Sequence, residues 1–96
     1  MADFYAFTDE NIKNAPSEPG VYALYDGNET IYYGRHQTSI RQRLGEHKSG
    51  AAGSCTQFAS QYWREVNSDP VAREMELLVA YEAKHGQLPR CNDRIG

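Results

Sequence analysis

Cysteine is scarce, long apolar runs are absent and basic residues do not outnumber acidic ones. Cys55 and Cys91 are the two cysteines among 96 residues, too few and too far apart for a disulfide framework or a four-ligand zinc site. We predict two reduced thiols, and a single bridge between them is the alternative. No segment approaches the roughly 20 apolar residues of a membrane span, so the sequence predicts a soluble protein without a membrane partner.

The N-terminal sequence and the net charge bear on the location of the protein and on how it could bind nucleic acid. Residues 1–4 lack the basic-then-apolar order of a secretion signal, which favours a cytoplasmic location. The formal net charge of -3 is unlike that of proteins that hold nucleic acid through overall charge, so any nucleic-acid chemistry requires a local cationic site. A composition that is 40% hydrophobic suffices for one modest core. We predict a single domain over residues 1–96, because no repeat or linker-like run divides it.

Local patterns predict three helices and three strands in the order α-β-β-α-β-α. The helices begin after Ser, Thr or Asp residues that can cap freed backbone amides, and they cover residues 9–14, 40–48 and 71–85. The strands are rich in β-branched and aromatic residues and cover residues 21–25, 29–33 and 57–66. This order predicts an α+β fold in which a small antiparallel three-stranded sheet is flanked by helices.

The first two predicted strands form a β-hairpin whose register depends on the turn. A three-residue loop over residues 26–28 places Tyr22 opposite Tyr32, with both side chains on one face. A two-residue loop over residues 26–27 places Tyr22 opposite Ile31 instead, and the two tyrosines no longer pair. The sequence leaves both registers open.

Side chains with useful chemistry follow one another in order along the hairpin and the helices after it. They are two hairpin tyrosines, an arginine after the hairpin, an arginine and a histidine four residues apart, helical glutamates and a late asparagine: Tyr22, Tyr32, Arg35, Arg43, His47, Glu74, Glu76, Glu82 and Asn92. Each has an ordinary alternative, because hairpin tyrosines usually pack together and helical charges are usually solvated. The ordered series, rather than any one member, indicates a site.

Phosphodiester hydrolysis is a reaction that this set could perform. It needs an activated water, stabilisation of negative charge on the phosphate oxygens and help for the departing oxygen. One carboxylate can hold Mg²⁺ or Mn²⁺ together with water, and Arg43 can bind the phosphate bidentately. Tyr22 could deprotonate the attacking water only if cations stabilise its phenolate, because its reference pKa is about 10. Arg35 and the metal are the predicted cations.

The segments Gly20-Val21-Tyr22 and Tyr32-Tyr33-Gly34 resemble the two half-motifs of the GIY-YIG nuclease superfamily. The family includes the incision subunit of bacterial nucleotide-excision repair, the catalytic domains of some homing endonucleases, certain restriction enzymes and small stand-alone proteins, so DNA repair is one expected setting. The resemblance extends from Pro19 to Asn92 and implies six catalytic residues: Tyr22, Tyr32, Arg35, Arg43, His47 and Asn92. Within the second half-motif, Tyr32 rather than Tyr33 is predicted to face the phosphate.

The resemblance also implies one metal-binding glutamate on the last helix. Glu74 is followed at plus three and plus four by Leu77 and Leu78, as in the family's pattern, whereas Glu76 matches less well. Glu74 and Glu76 point about 200° apart on a helix, so only one can face the site. We therefore expect a Mg²⁺- or Mn²⁺-dependent endonuclease that acts on DNA rather than RNA. The alternative is a non-catalytic nucleic-acid-binding or protein-interaction module with the same fold, and a homo-oligomer or a separate targeting partner would fit either function.

Overall fold

A four-stranded antiparallel sheet forms the centre of the protein. The computed structural model describes residues 4–92, and its elements are β1 (Tyr5–Ala6), α1 (Asp9–Lys13), β2 (Gly20–Asp26), β3 (Glu29–His36), α2 (Ile40–Ser49), β4 (Gln61–Val66) and α3 (Pro70–His85). The strand order is β1-β4-β2-β3. The predicted α+β fold is confirmed, but the predicted count of three strands is wrong. The added strand, β1, pairs only two residues with β4, too few to leave a pattern in the sequence.

The helices begin and end at residues with recognisable capping chemistry. The side chains of Thr8, Ser39 and Asp69 each accept a backbone N–H from the first turn of α1, α2 and α3. Gly50 and Gly86 end α2 and α3 with φ angles of 89° and 78°, the left-handed region in which glycine carries no steric penalty. All three predicted helices are present, and Ile40 and Leu44, one turn apart in α2, are fully buried in the core.

The third predicted strand is shorter than expected. It was predicted over residues 57–66, but β4 begins at Gln61. Turn hydrogen bonds occupy the preceding residues, in which the backbone N–H of Ala59 donates to the carbonyl of Thr56 at 3.3 Å. Phe58 supported the strand prediction by its aromatic character, yet its side chain is 81% exposed.

The hairpin of β2 and β3 adopts neither predicted register. Its loop is Gly27–Asn28, and Tyr22 lies opposite Gly34 while Tyr32 lies opposite Leu24. The register shifts between Leu24 and Tyr25, which marks a β-bulge. Because side chains alternate between faces along a strand, one extra residue in β3 brings Tyr32 to the face that carries Tyr22. The two tyrosines are thus diagonal neighbours rather than a direct pair.

The core lies between the sheet and the first two helices. Its buried members are apolar or aromatic, and they are Phe7, Ile12, Ala15, Tyr22, Leu24, Ile31, Ile40, Leu44, Ala59 and Tyr62. No helix within residues 4–92 is long and apolar enough to cross a membrane.

Cys55 and Cys91 form a disulfide, so the prediction of two reduced thiols is wrong. The chain returns to the edge of the sheet after α3, where the backbone N–H of Cys91 donates to the carbonyl of Ile31 in β3 at 2.8 Å. This return places Cys91 beside the loop that precedes β4, with a Cα–Cα distance of 5.8 Å to Cys55. The two cysteines are 36 residues apart in the sequence, so their proximity could not be predicted from it.

Candidate active site

The glycine of each half-motif is required by close packing. A Cβ atom added to Gly34 would lie 2.3 Å from the hydroxyl oxygen of Tyr22 and 2.6 Å from the ring of Tyr32. A Cβ atom added to Gly20 would lie 2.2 Å from the carbonyl oxygen of Glu65 and 2.7 Å from the side chain of Ile40. Gly34 therefore makes room for the tyrosine rings, and Gly20 lets the start of β2 approach both β4 and α2.

Tyr22, His47 and Thr56 form a buried chain of hydrogen bonds. The hydroxyl of Tyr22 lies 2.6 Å from Nε2 of His47, and Nδ1 of the same ring lies 2.6 Å from the hydroxyl of Thr56. The ring of Tyr32 packs on both neighbours, with centroid distances of 6.1 Å to Tyr22 and 5.0 Å to His47. Three of the predicted site residues are thus in direct contact, while Thr56 was not predicted.

Burial keeps both ends of the Tyr22–His47 hydrogen bond uncharged. It raises the pKa of Tyr22 well above its ordinary value of 10.0, and the positive charge of Arg43 only partly opposes this. It also lowers the pKa of His47 to about 4, helped by the same arginine. Tyr22 therefore keeps its proton and His47 is neutral near pH 7. The cation that acts on Tyr22 is Arg43, whereas the predicted cation, Arg35, is paired with Glu74.

A cleft of about 320 Å³ opens beside Tyr32. Its lining is mostly cationic and polar, and consists of Tyr32, Arg35, His36, Gln37, Arg43 and Glu74. Arg43 reaches it from α2, one turn before His47, as the predicted spacing requires. Its guanidinium donates to Glu46 at 2.8 Å, and this carboxylate raises the pKa of Arg43. The cleft thus combines two permanent cations with one carboxylate.

The two candidate metal-binding glutamates occupy different environments. Glu74 is only 6% exposed, lines the cleft and accepts a hydrogen bond from Arg35. The side chain of Glu76 is 67% exposed and pairs with Arg73 at 3.2 Å, away from the cleft. The structure therefore places Glu74, and not Glu76, where it could hold an ion.

The donor set fits a metal ion that keeps much of its own water. Between residues 4 and 92 there is no group of three or more His, Cys, Asp and Glu side chains arranged around an ion. Glu74 presents one carboxylate to an open cleft. Mg²⁺ is commonly held in this manner, by one or two carboxylates, several waters and the phosphate of a substrate.

His36 and Gln37 belong to the cleft but were not predicted. Nδ1 of His36 accepts the backbone N–H groups of Ser39 at 2.8 Å and Thr38 at 3.2 Å, so a neutral ring carries its proton on Nε2. The ring thereby fixes the connection between β3 and α2. His36 is the last residue of β3 and Gln37 is the next residue. Polar residues at the end of a strand can line the edge of a sheet, and that position is the sequence signal that could have identified them.

Asn92 supports β3 rather than lining the cleft. Its side-chain oxygen accepts the backbone N–H of Tyr33 at 2.9 Å, and its side-chain nitrogen donates to the carbonyl of Tyr33 at 3.0 Å. The ring of Tyr33 lies in edge contact with Tyr81 of α3 and is not part of the cleft lining. Asn92 therefore holds the backbone next to Tyr32, and its predicted catalytic role stays a prediction.

Comparison with known proteins identifies a family and similar solved structures. The model of the GIY-YIG catalytic domain matches residues 18–84. Two crystal structures of the GIY-YIG N-terminal endonuclease domain of UvrC from Thermotoga maritima, both point mutants bound to the catalytic divalent cation, are similar to this chain. One has a TM-score of 0.69 at 22% identity and the other 0.58 at 23%, each covering 88% of this chain and 93% of that chain. No curated protein matches the chain. At these identities the structural likeness establishes the fold.

Proposed function

The chain belongs to the GIY-YIG family of nuclease domains, and on that premise we propose that it is a divalent-metal-dependent endonuclease acting on DNA. The observation that carries the proposal is the cleft, in which Glu74 faces Arg35, Arg43 and Tyr32. A carboxylate for a metal and cations for a phosphate are the groups that phosphodiester hydrolysis requires. We extend the proposal to the whole chain as one domain, although residues 1–3 and 93–96 lie outside the described part.

Three residues of the cleft have distinct proposed roles, and so does Tyr22, which is fully buried beside Tyr32 and outside the cleft lining. Glu74 would hold Mg²⁺ or Mn²⁺, which when bound supplies a Lewis acid for the phosphate. Arg43 would bind the phosphate oxygens, because Glu46 engages only one of its nitrogens in the observed ion pair. Tyr32 would orient the phosphate or a water from the cleft wall. Tyr22 would act as the base only in a state in which its hydroxyl reaches the cleft and its proton is released, because its side chain is fully buried here. The charge of Arg43 favours that release.

A nucleic acid is the proposed substrate because the cleft is cationic within a chain of net charge -3. DNA is proposed over RNA because the nucleases that the chain resembles include repair and restriction enzymes. Two arginines around one small cleft can bind a single phosphate but leave little surface for reading a base sequence. Target choice would then come from a second copy of the chain or from a separate targeting partner. The similar UvrC structures are endonuclease domains bound to a catalytic divalent cation, which supports the metal-dependent reaction.

The competing function is a non-catalytic module that keeps the fold and binds nucleic acid or protein. The ion pair between Arg35 and Glu74 favours it, because the arginine occupies the carboxylate that a metal would need. A catalytic protein must either separate this pair or hold the metal through Oε2 of Glu74, since Arg35 donates to Oε1. The two functions therefore differ in whether added metal produces cleavage or only binding.

Cleavage of plasmid, branched and single-stranded DNA, with RNA alongside, tests the proposal in buffers that contain Mg²⁺ or Mn²⁺. We expect Glu74→Gln to abolish cleavage and Glu76→Gln, the matched change two residues along the same helix, to leave it unchanged. Arg43→Ala should also abolish cleavage, whereas Arg73→Ala removes an arginine outside the cleft and serves as its control. Equal activity of all these proteins would refute the assignment of the site. Binding of DNA without cleavage in either metal would support the competing module.

A further inference from the structure

Thr56 is a buried hydroxyl in an exposed loop. The loop joins α2 to β4, and while Cys55 and Phe58 are exposed, Thr56 is only 3% exposed. Its side chain turns inward, and its hydroxyl lies 2.6 Å from Nδ1 of His47. A buried polar group in such a segment requires a partner, and here the partner is a histidine that itself contacts Tyr22.

The two hydrogen bonds of His47 define the orientation of its ring. In one proton arrangement Tyr22 donates to Nε2 and Nδ1–H donates to the oxygen of Thr56, and in the other Thr56 donates to Nδ1 and Nε2–H donates to the oxygen of Tyr22. In both arrangements the two contacts of 2.6 Å hold the ring in the same orientation. A ring flip would break both bonds and leave Nδ1 buried without its partner.

We propose that Thr56 is a positioning residue, whose hydroxyl holds the His47 ring with Nε2 directed at the hydroxyl of Tyr22. The inference rests on the proposed nuclease function, because only that function uses Tyr22 as a base. Without Thr56, His47 could rotate or change the nitrogen that carries its proton, and Tyr22 would lose its fixed hydrogen-bond partner. Thr56 is not part of the cleft lining, and we infer that its effect on cleavage passes through His47.

The surrounding structure holds Thr56 in place from two sides. Cys55, its neighbour, is joined by the disulfide to Cys91, and Cys91 is hydrogen-bonded to Ile31 of β3. The loop is therefore tied to the strand that carries Tyr32. On its other side, the carbonyl of Thr56 accepts the backbone N–H of Ala59, in the turn that leads into β4. A hydroxyl fixed by two separate restraints against a buried ring is suited to positioning that ring.

The experiment compares Thr56→Val, which removes the hydroxyl at nearly constant volume, with Thr56→Ser, which keeps it. Thr30→Val makes the same chemical change in β3 outside the cleft and serves as the control. We expect Thr56→Val to lower kcat for plasmid cleavage by about 10-fold to 100-fold, the range found when metal-bound histidines lose the partner that orients them, with KM near the wild-type value. Thr56→Ser and Thr30→Val should cleave at the wild-type rate.

The second readout is the ¹⁵N NMR spectrum of the His47 ring, which reports which nitrogen carries the proton. We expect the proton on one and the same nitrogen in wild type and Thr56→Ser, and on the other nitrogen or on a mixture of both in Thr56→Val. Should Thr56→Val fail to fold, Thr56→Ala carries the same expectations. Wild-type kcat and an unchanged ring spectrum in the hydroxyl-free variant would overturn the inference. If the wild type cleaves no DNA, the proposed function fails, and the ring spectrum alone then decides whether Thr56 positions His47.

Discussion

Reduction of the disulfide between Cys55 and Cys91 should lower the free energy of unfolding substantially. The bridge closes a loop with a sequence separation of 36 residues, and it restricts the unfolded chain far more than the folded one. For a loop of this size the chain-entropy relation gives about 4 kcal/mol at 25 °C. A domain of this length has a free energy of unfolding on the order of 5–15 kcal/mol. The reduced protein should therefore stay folded, but with a much smaller free energy of unfolding.

Urea denaturation, followed by the fluorescence of Trp63, measures this difference. At an m-value of about 1–3 kcal/mol/M, the midpoint of the wild type should fall by at least about 1 M when a dithiol reductant is added. The double variant Cys55→Ser with Cys91→Ser should match the reduced wild type, and the reductant should not change it. Identical midpoints for oxidised and reduced wild type would show that the bridge does not restrain the chain as argued.

Three other changes test the packing and charge of the site. Gly34→Ala should lower the free energy of unfolding by at least about 1–3 kcal/mol in a thermal melt, because the new Cβ overlaps Tyr22; an unchanged melting temperature would contradict this packing. Burial lowers the pKa of His47 from 6.5 to about 4, so the stability that neutral His47 provides is complete above pH 6.5 and falls by on the order of 3 kcal/mol as the pH drops to 4. His47→Gln should remove this dependence of the free energy of unfolding on pH between 4 and 6.5. If the variant kept the same dependence, another titrating group would be its cause. Asn92→Ala should cost about 1–2 kcal/mol and speed amide exchange at Tyr33, whereas unchanged exchange would mean that the two hydrogen bonds do not hold β3.

Local chemistry made the helices and the hairpin predictable. A capping residue such as Ser39 and a terminal glycine such as Gly50 act on neighbours in the sequence, so their effect is visible without the fold. The register of the hairpin was not predictable, because the bulge that brings Tyr32 beside Tyr22 depends on how β2 pairs with two other strands. The disulfide was missed for a related reason, since Cys91 reaches its partner only after the chain returns to β3.

In the site too, contacts within one element were predictable from the sequence, and contacts between elements were not. The spacing of Arg43 and His47 on one helix placed both near the tyrosines, as the structure shows. Thr56 carried no sequence signal, because its role depends on a loop that folds back onto α2. The pairing of Arg35 with Glu74 was also invisible, since the two residues come from different elements and meet only when α3 packs on β3.

The contact between Gly34 and Tyr22 means that the two half-motifs cannot change independently. A larger side chain at position 34 has no space while a tyrosine ring occupies position 22, and a smaller residue at position 22 would leave a void above the glycine. Substitutions at these two positions should therefore compensate for one another, so that Gly34→Ala costs less stability in a chain that already carries Tyr22→Ala. In a redesign of this hairpin, positions 22 and 34 must be chosen together, because a tyrosine at position 22 requires a glycine at position 34.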